Sequence, residues 1–136
     1  MQEYNHYRIS PNTMALVPAR HPYYKSIVFD LEGTYLSIQT LDMMFTELGL
    51  HVDKSIKIVN ESSYLIKEDA DIYAFSTKTK GEPDCMWIFP KHVKSLREQT
   101  FPRLTFKNGE RLKINCTKEQ YIRWYKDFIC IMKLEV

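Results

Sequence analysis

Only two stretches of this 136-residue chain carry a helical hydrophobic period; the rest is cut by Pro, Gly and Asn into short runs rich in β-branched and aromatic residues. The first stretch has Leu41, Met44, Phe45 and Leu48 at i, i+3, i+4 and i+7, with Thr40 placed to cap its start and Gly49 to close its end, which predicts a helix over 41–48. The second opens at Thr117 with Gln120 three residues on, the spacing of a capping box, and continues as a stripe of Tyr121, Trp124, Tyr125, Phe128, Ile131 and Met132. It predicts a helix over about 118–134 that covers a sheet. The expected class is α+β, a mostly antiparallel β-sheet with a short central helix and a C-terminal helix packed on the sheet.

Strands are predicted at Tyr4–Ile9, Thr13–Val17, Ser26–Phe29, Thr34–Ile38, Ser55–Val59, Tyr64–Lys67, Ile72–Phe75, Met86–Phe89 and Val93–Leu96. The clearest hairpin signal is Lys107-Asn108-Gly109-Glu110 between Leu104-Thr105-Phe106 and Leu112-Lys113-Ile114. Face chemistry decides its register. A two-residue Asn-Gly loop would oppose Leu104 to Lys113 and Phe106 to Arg111, mixing apolar and charged side chains on one face. A three-residue loop with Gly109 in the left-handed conformation opposes Leu104 to Leu112, and this is the loop predicted.

A chain of this length is expected to form one domain over residues 1–136, with function on a surface or in one modest pocket. No run approaches the roughly 20 apolar residues that span a bilayer, and the start lacks a basic segment followed by an apolar one, so a cytoplasmic protein without membrane contact is expected. Cys85, Cys116 and Cys130 are widely spaced and read as free thiols in a reducing compartment. His6, His21, His51 and His92 have no ligand spacing, so neither a metal nor a cofactor is expected. The net charge of +2 conceals an asymmetry: residues 1–77 hold 6 Lys+Arg against 10 Asp+Glu, whereas residues 78–136 hold 13 against 7. The basic second half suits an anionic partner.

One local motif points toward catalysis. Ile27-Val28-Phe29-Asp30-Leu31-Glu32-Gly33-Thr34 resembles the first motif of haloacid-dehalogenase-type phosphatases, an apolar strand ending in Asp-x-Asp-Gly-Thr. There the first carboxylate is the nucleophile and the second the general acid and base. That fold requires strand–helix alternation and a later acidic pair at the end of an apolar strand. Here the strands run on as a meander, and Glu68, Asp69 and Asp71 precede a strand instead of following one. The competing reading is a hairpin turn at Asp30–Gly33. Phosphate-cradling glycine motifs are absent, and a Cys85–His92 nucleophilic pair would lack an orienting third group. No enzymatic activity is expected, a small phosphatase being retained only through Asp30 and Glu32.

The remaining signal is a series of basic residues among β-forming ones: Lys91, His92, Lys94, Arg97, Arg103, Lys107, Arg111, Lys113, Lys118 and Arg123. Alternation on adjacent strands can aim several cations at phosphates, and hairpins can enter a groove where no helix is at hand. The order of short motifs across nearly the whole chain resembles the competence transcription factor ComK family. The pieces are Tyr7-x-Ile9, Thr13-Met14-Ala15-Leu16-x-Pro18, the helix with Leu48-Gly49, the strand Ile72–Ser76, Cys85-x-Trp87-Ile88, His92-Val93-Lys94 and Leu104-Thr105-Phe106-x-Asn108-Gly109. The segment from Arg103 to Phe128 is more loosely similar to LytTR-type DNA-binding domains.

The resemblance implies a transcription activator that binds AT-rich double-stranded DNA, largely through the minor groove, as homodimers assembling on DNA. It singles out Lys91, His92, Lys94 and Lys107; with Arg103 and Arg111 from the charge pattern, these are the candidate DNA-binding residues. Leu48–Lys54 departs from the family, lacking most of a cationic cluster that follows the helix there. The chain also stops at Val136, without the C-terminal tail that family members use for turnover by an adaptor and protease. A shortened, divergent member is expected. The alternative is a non-activating protein-interaction module that modulates a full-length relative.

Overall fold

The computed structural model describes residues 2–48, 56–59, 62–67, 71–78, 82–97 and 102–134. In chain order its strands are β1 (Gln2–Glu3), β2 (Thr13–Pro18), β3 (Ser26–Asp30), β4 (Gly33–Ser37), β5 (Ile56–Val59), β6 (Ser62–Lys67), β7 (Ile72–Ser76), β8 (Trp87–Ile88), β9 (Val93–Arg97), β10 (Arg103–Phe106) and β11 (Arg111–Lys113). The helices are α1 (Leu41–Glu47) and α2 (Lys118–Leu134), and a 3₁₀ turn occupies Pro90–His92. Among these residues one sheet has the order β1-β4-β3-β2-β8-β7-β6-β5 and a second has the order β11-β10-β9. The pairings are antiparallel except that of β1 with β4. The expected α+β class is the one observed.

The centre of the large sheet is β2, and its composition shows why. Thr13-Met14-Ala15-Leu16-Val17 is buried at every position, as a strand covered on both faces requires. Leu16 lies on one face with Val28, Ala74 and Trp87, beneath Met44 and Phe45 of α1; Phe45 meets Trp87 edge-on at 5.1 Å. Ala15 and Val17 lie on the other with Phe75 and Ile88, against Leu104, Phe106 and Leu112 of the second sheet and Tyr121 and Trp124 of α2. Three layers result: α1, the large sheet, and a layer made of the second sheet and α2.

Both helices start as their sequences predict. Thr40 caps α1, its hydroxyl accepting from Met43 N at 3.1 Å. At α2 the capping box closes in both directions, Thr117 N donating to Gln120 Oε1 at 2.9 Å and Gln120 N to Thr117 Oγ1 at 3.1 Å. Gly49, expected to end α1, lies outside the described residues, as does the divergent stretch from Gly49 to Lys54.

The strand predicted at Tyr4–Ile9 is corrected. The ladder covers Gln2–Glu3, with Tyr4 N still donating to Leu36 O at 2.8 Å, and then stops. Tyr7 and Ile9 are buried two residues apart, which is the spacing that suggested a strand. Side chains take over the backbone's partners instead: Tyr7 N donates to Gln39 Oε1 at 2.9 Å, and the Tyr7 hydroxyl donates to Asp30 Oδ2 at 2.6 Å. Period-two burial alone does not distinguish a strand from a loop whose rings plug a core.

The hairpin between β10 and β11 has the predicted register. Leu104 opposes Leu112, Phe106 N donates to Glu110 O at 2.8 Å, and Gly109 N donates to Phe106 O at 2.9 Å, closing a three-residue loop with Gly109 at φ +93°. A Cβ at Gly109 would meet no atom within 4 Å, so the only penalty for a side chain there is backbone strain. Gly109→Ala is expected to destabilise the protein by about 1–2 kcal/mol, measured by urea unfolding. An unchanged midpoint would contradict the left-handed assignment.

The cysteines are unpaired and differ in access: Cys85 is buried, Cys116 is half-buried and Cys130 is exposed. Burial pushes the Cys116 thiol up to about 12 and raises that of Cys85 as well, so neither offers a thiolate near neutral pH. A thiol reagent at about pH 8 is expected to label Cys130 in the folded protein, and Cys85 and Cys116 only after unfolding. Mass spectrometry of the labelled peptides reads this directly.

Candidate nucleic-acid interface

The second sheet sorts its residues by face. Val93, Leu96, Leu104, Phe106 and Leu112 join the core. On the opposite face the register sets Arg97, Arg103 and Lys113 in one row across the three strands and Ser95, Thr105 and Arg111 in the next. Lys94 interrupts the alternation: Ser95 opposes Thr105 but Val93 opposes Phe106, so Lys94 is the extra residue of a β-bulge and is exposed beside Ser95. Lys94, Arg97, Arg103, Arg111 and Lys113 therefore share one solvent-facing surface, and no residue of these strands is acidic. Neighbouring strands lie about 4.8 Å apart, so each row of side chains crosses the sheet within about 10 Å. A face of this kind concentrates positive potential and favours an extended polyanion.

The six residues singled out from the sequence divide into three groups. Lys94, Arg103 and Arg111 are on the basic face. Lys107 is exposed on the hairpin loop, whose Asn108 Nδ2 reaches Asp30 O at 3.4 Å and Leu31 O at 3.3 Å and so fixes the loop against the β3–β4 turn. Lys91 and His92 lie in the 3₁₀ turn that leads into β9. Lys91 Nζ is ion-paired with Asp71 Oδ2 at 2.6 Å, and His92 is buried with Nε2 2.5 Å from Pro11 O, while its carbonyl accepts from Lys107 N at 2.9 Å. Arg97 and Lys113 complete the surface. Strand alternation carried the signal for Lys113, two residues from Arg111, whereas Arg97 is placed by its pairing opposite Arg103.

Asp30 closes the tight β3–β4 hairpin, opposite Gly33. Its carboxylate is turned inward, Oδ1 accepting from Glu32 N at 3.0 Å and Oδ2 from the Tyr7 hydroxyl. Burial, reinforced by that bond to Asp30, raises the Tyr7 hydroxyl well above its usual range and keeps it a donor. The phosphatase-like motif is thus an antiparallel hairpin turn whose aspartate anchors the N-terminal segment. Among the described residues no group of three or more His, Cys, Asp or Glu converges as a metal site, and no helix is long and apolar enough to cross a membrane.

Comparison with protein families gives one decisive match: the family described as ComK protein covers residues 4–126. The chain belongs to the ComK family. This membership supports a competence-transcription-factor-like role and takes in both core clusters as well as the whole basic sheet. Neither the comparison with curated proteins nor that with solved structures returned a match. Several residues that carry the ComK likeness serve the framework. Trp87 is packed under α1, His92 is buried against Pro11, Phe106 is in the core, and Gly109 turns the hairpin. The basic face is built on that framework by residues outside the ComK-like motifs except Lys94.

Proposed function

We propose that the chain is a DNA-binding transcriptional regulator that uses the face formed by Lys94, Arg97, Arg103, Arg111 and Lys113, with Lys107 at its edge. The observation that carries this reading is the gathering of five exposed cations on one face of three strands that contain no acidic residue. A three-stranded face is broader than the minor groove, which is about 6 Å wide, so it lies across phosphates. The narrower Lys107–Gly109 loop is then the part that reaches toward the groove. Degenerate minor-groove readout fits a preference for AT-rich duplexes set by groove width instead of a recognition helix. The protein acts without a cofactor and binds as a homodimer, the partner operator carrying two half-sites.

Fluorescence anisotropy with AT-rich and GC-rich duplexes of equal length, at two salt concentrations, tests this. The AT-rich duplex should bind more tightly and both should weaken steeply with salt. Absence of binding to either duplex at low salt would sink the DNA reading and leave the protein-interaction module as the function.

A further inference from the structure

A cavity of about 240 Å³ opens beside the 3₁₀ turn, away from the basic face. Ile72, Tyr73, Phe89 and Phe128 give it a largely apolar, ring-lined interior, with Tyr73 and Phe128 meeting edge-on at 5.8 Å. At its margin Lys91 and Asp71 neutralise each other at 2.6 Å. Ser10 and Thr13 also line it, their hydroxyls bonded to Asn12 N and to Ser10 N and Tyr7, and beside them lies the ring of His92, only 6% exposed. Its Nε2 is 2.5 Å from Pro11 O, and a carbonyl can only accept, so Nε2 carries the ring proton. With a single ring proton placed there, Nδ1 is an acceptor. It has no hydrogen-bond partner among the described residues, and it is not among the side-chain atoms sealed from solvent.

We propose that this cavity binds a small neutral aromatic molecule carrying one O–H or N–H group, which donates to His92 Nδ1. Each part of that chemistry follows from the walls. The rings of Tyr73, Phe89 and Phe128 favour an aromatic body through edge-to-face and offset contacts. The unused acceptor favours a ligand with a donor, which replaces the water that an apolar ligand would displace from Nδ1 without compensation. The paired Lys91 and Asp71 leave no net charge at the margin, so either sign of ligand charge would be desolvated without compensation. A cavity of about 150 Å³ holds benzene; this one has room for a ring with a substituent.

Occupancy is transmitted to the basic sheet. Lys91 and His92 run directly into β9, the bulged Lys94 is two residues beyond His92, and His92 O holds Lys107 N at 2.9 Å. The cavity is thereby an effector site for whatever the basic face binds. In the case of DNA this rests on the reading above.

The test is an amide NMR titration of the full chain with p-cresol, toluene and benzoate. With p-cresol, saturable shifts are expected at Ile72, Phe89, Lys91 and His92, extending to Lys94 and Lys107. Toluene, which has the ring but no donor, should bind about tenfold more weakly, and benzoate should also bind more weakly. No saturable shifts, equal binding of toluene, or preferred binding of benzoate would overturn the ligand assignment. Shifts confined to the cavity, with Lys94 and Lys107 unmoved, would overturn the coupling. None of these readouts involves DNA, so they stand or fall separately from the DNA reading.

Discussion

Replacing Arg97, Arg103 and Arg111 together with alanine is expected to weaken DNA binding by about 100-fold at moderate salt. It should also flatten the logarithmic salt dependence by about 3, close to one unit for each phosphate contact removed. The three side chains are exposed and project from the face that does not pack, so the variant should keep its fold, with stability changed by no more than about 0.5 kcal/mol for each site. Lys91→Ala provides the contrast. Its ammonium is already paired with Asp71, and it lies off the basic face, so the salt slope should remain that of the parent protein. Anisotropy titrations over a salt series, alongside urea unfolding of each variant, separate lost contacts from lost structure. If the triple variant bound with parental affinity and slope, DNA would have to be held elsewhere on the surface.

Phe75→Ala should have the largest effect on folding. Phe75 is fully buried in β7 and touches both Tyr121 and Trp124, with ring centroids 5.6 and 5.5 Å away. The Tyr121 hydroxyl and Trp124 Nε1 are buried without hydrogen-bond partners among the described residues, so contact between apolar surfaces holds this part of α2 in place. Removing the ring leaves a cavity beneath the helix and costs about 3–5 kcal/mol, against a total stability of about 5–15 kcal/mol. A fall in melting temperature of at least about 10 °C is expected by calorimetry, with α2 losing amide protection first. A shift of only a degree or two would mean that α2 is seated by other contacts.

These two expectations also show where the sequence was informative. Elements defined by local chemistry could be read directly: the Thr40 cap, the Thr117–Gln120 capping box and the three-residue loop at Gly109 each depend on residues within a few positions of one another. The segment Tyr4–Ile9 misled because its partners are remote, with Gln39 and Asp30 supplying what a neighbouring strand would have supplied. The candidate site shows the same division. Alternation exposes Arg103 and Arg111, but whether Lys91 and His92 face outward depends on Asp71 and Pro11, which are distant in the chain. A bulge in β9 decides the orientation of Lys94, and it becomes visible only once β9 is paired with β10.

The position of β2 has a consequence for how the chain is made. Leu16 pairs opposite Trp87 and Ala15 opposite Ile88, so one edge of this strand waits for a partner that emerges about seventy residues later. Until then Met14-Ala15-Leu16-Val17, uncharged and strongly β-forming, is held on one side only, by the β3 hairpin. Such long-range closure slows folding, and an open apolar edge is the place where nascent chains pair with one another. A strand buried along its length in the finished protein is thus an aggregation hazard during synthesis, and a holdase that covered residues 13–18 until β8 arrived is expected to raise the yield of folded protein.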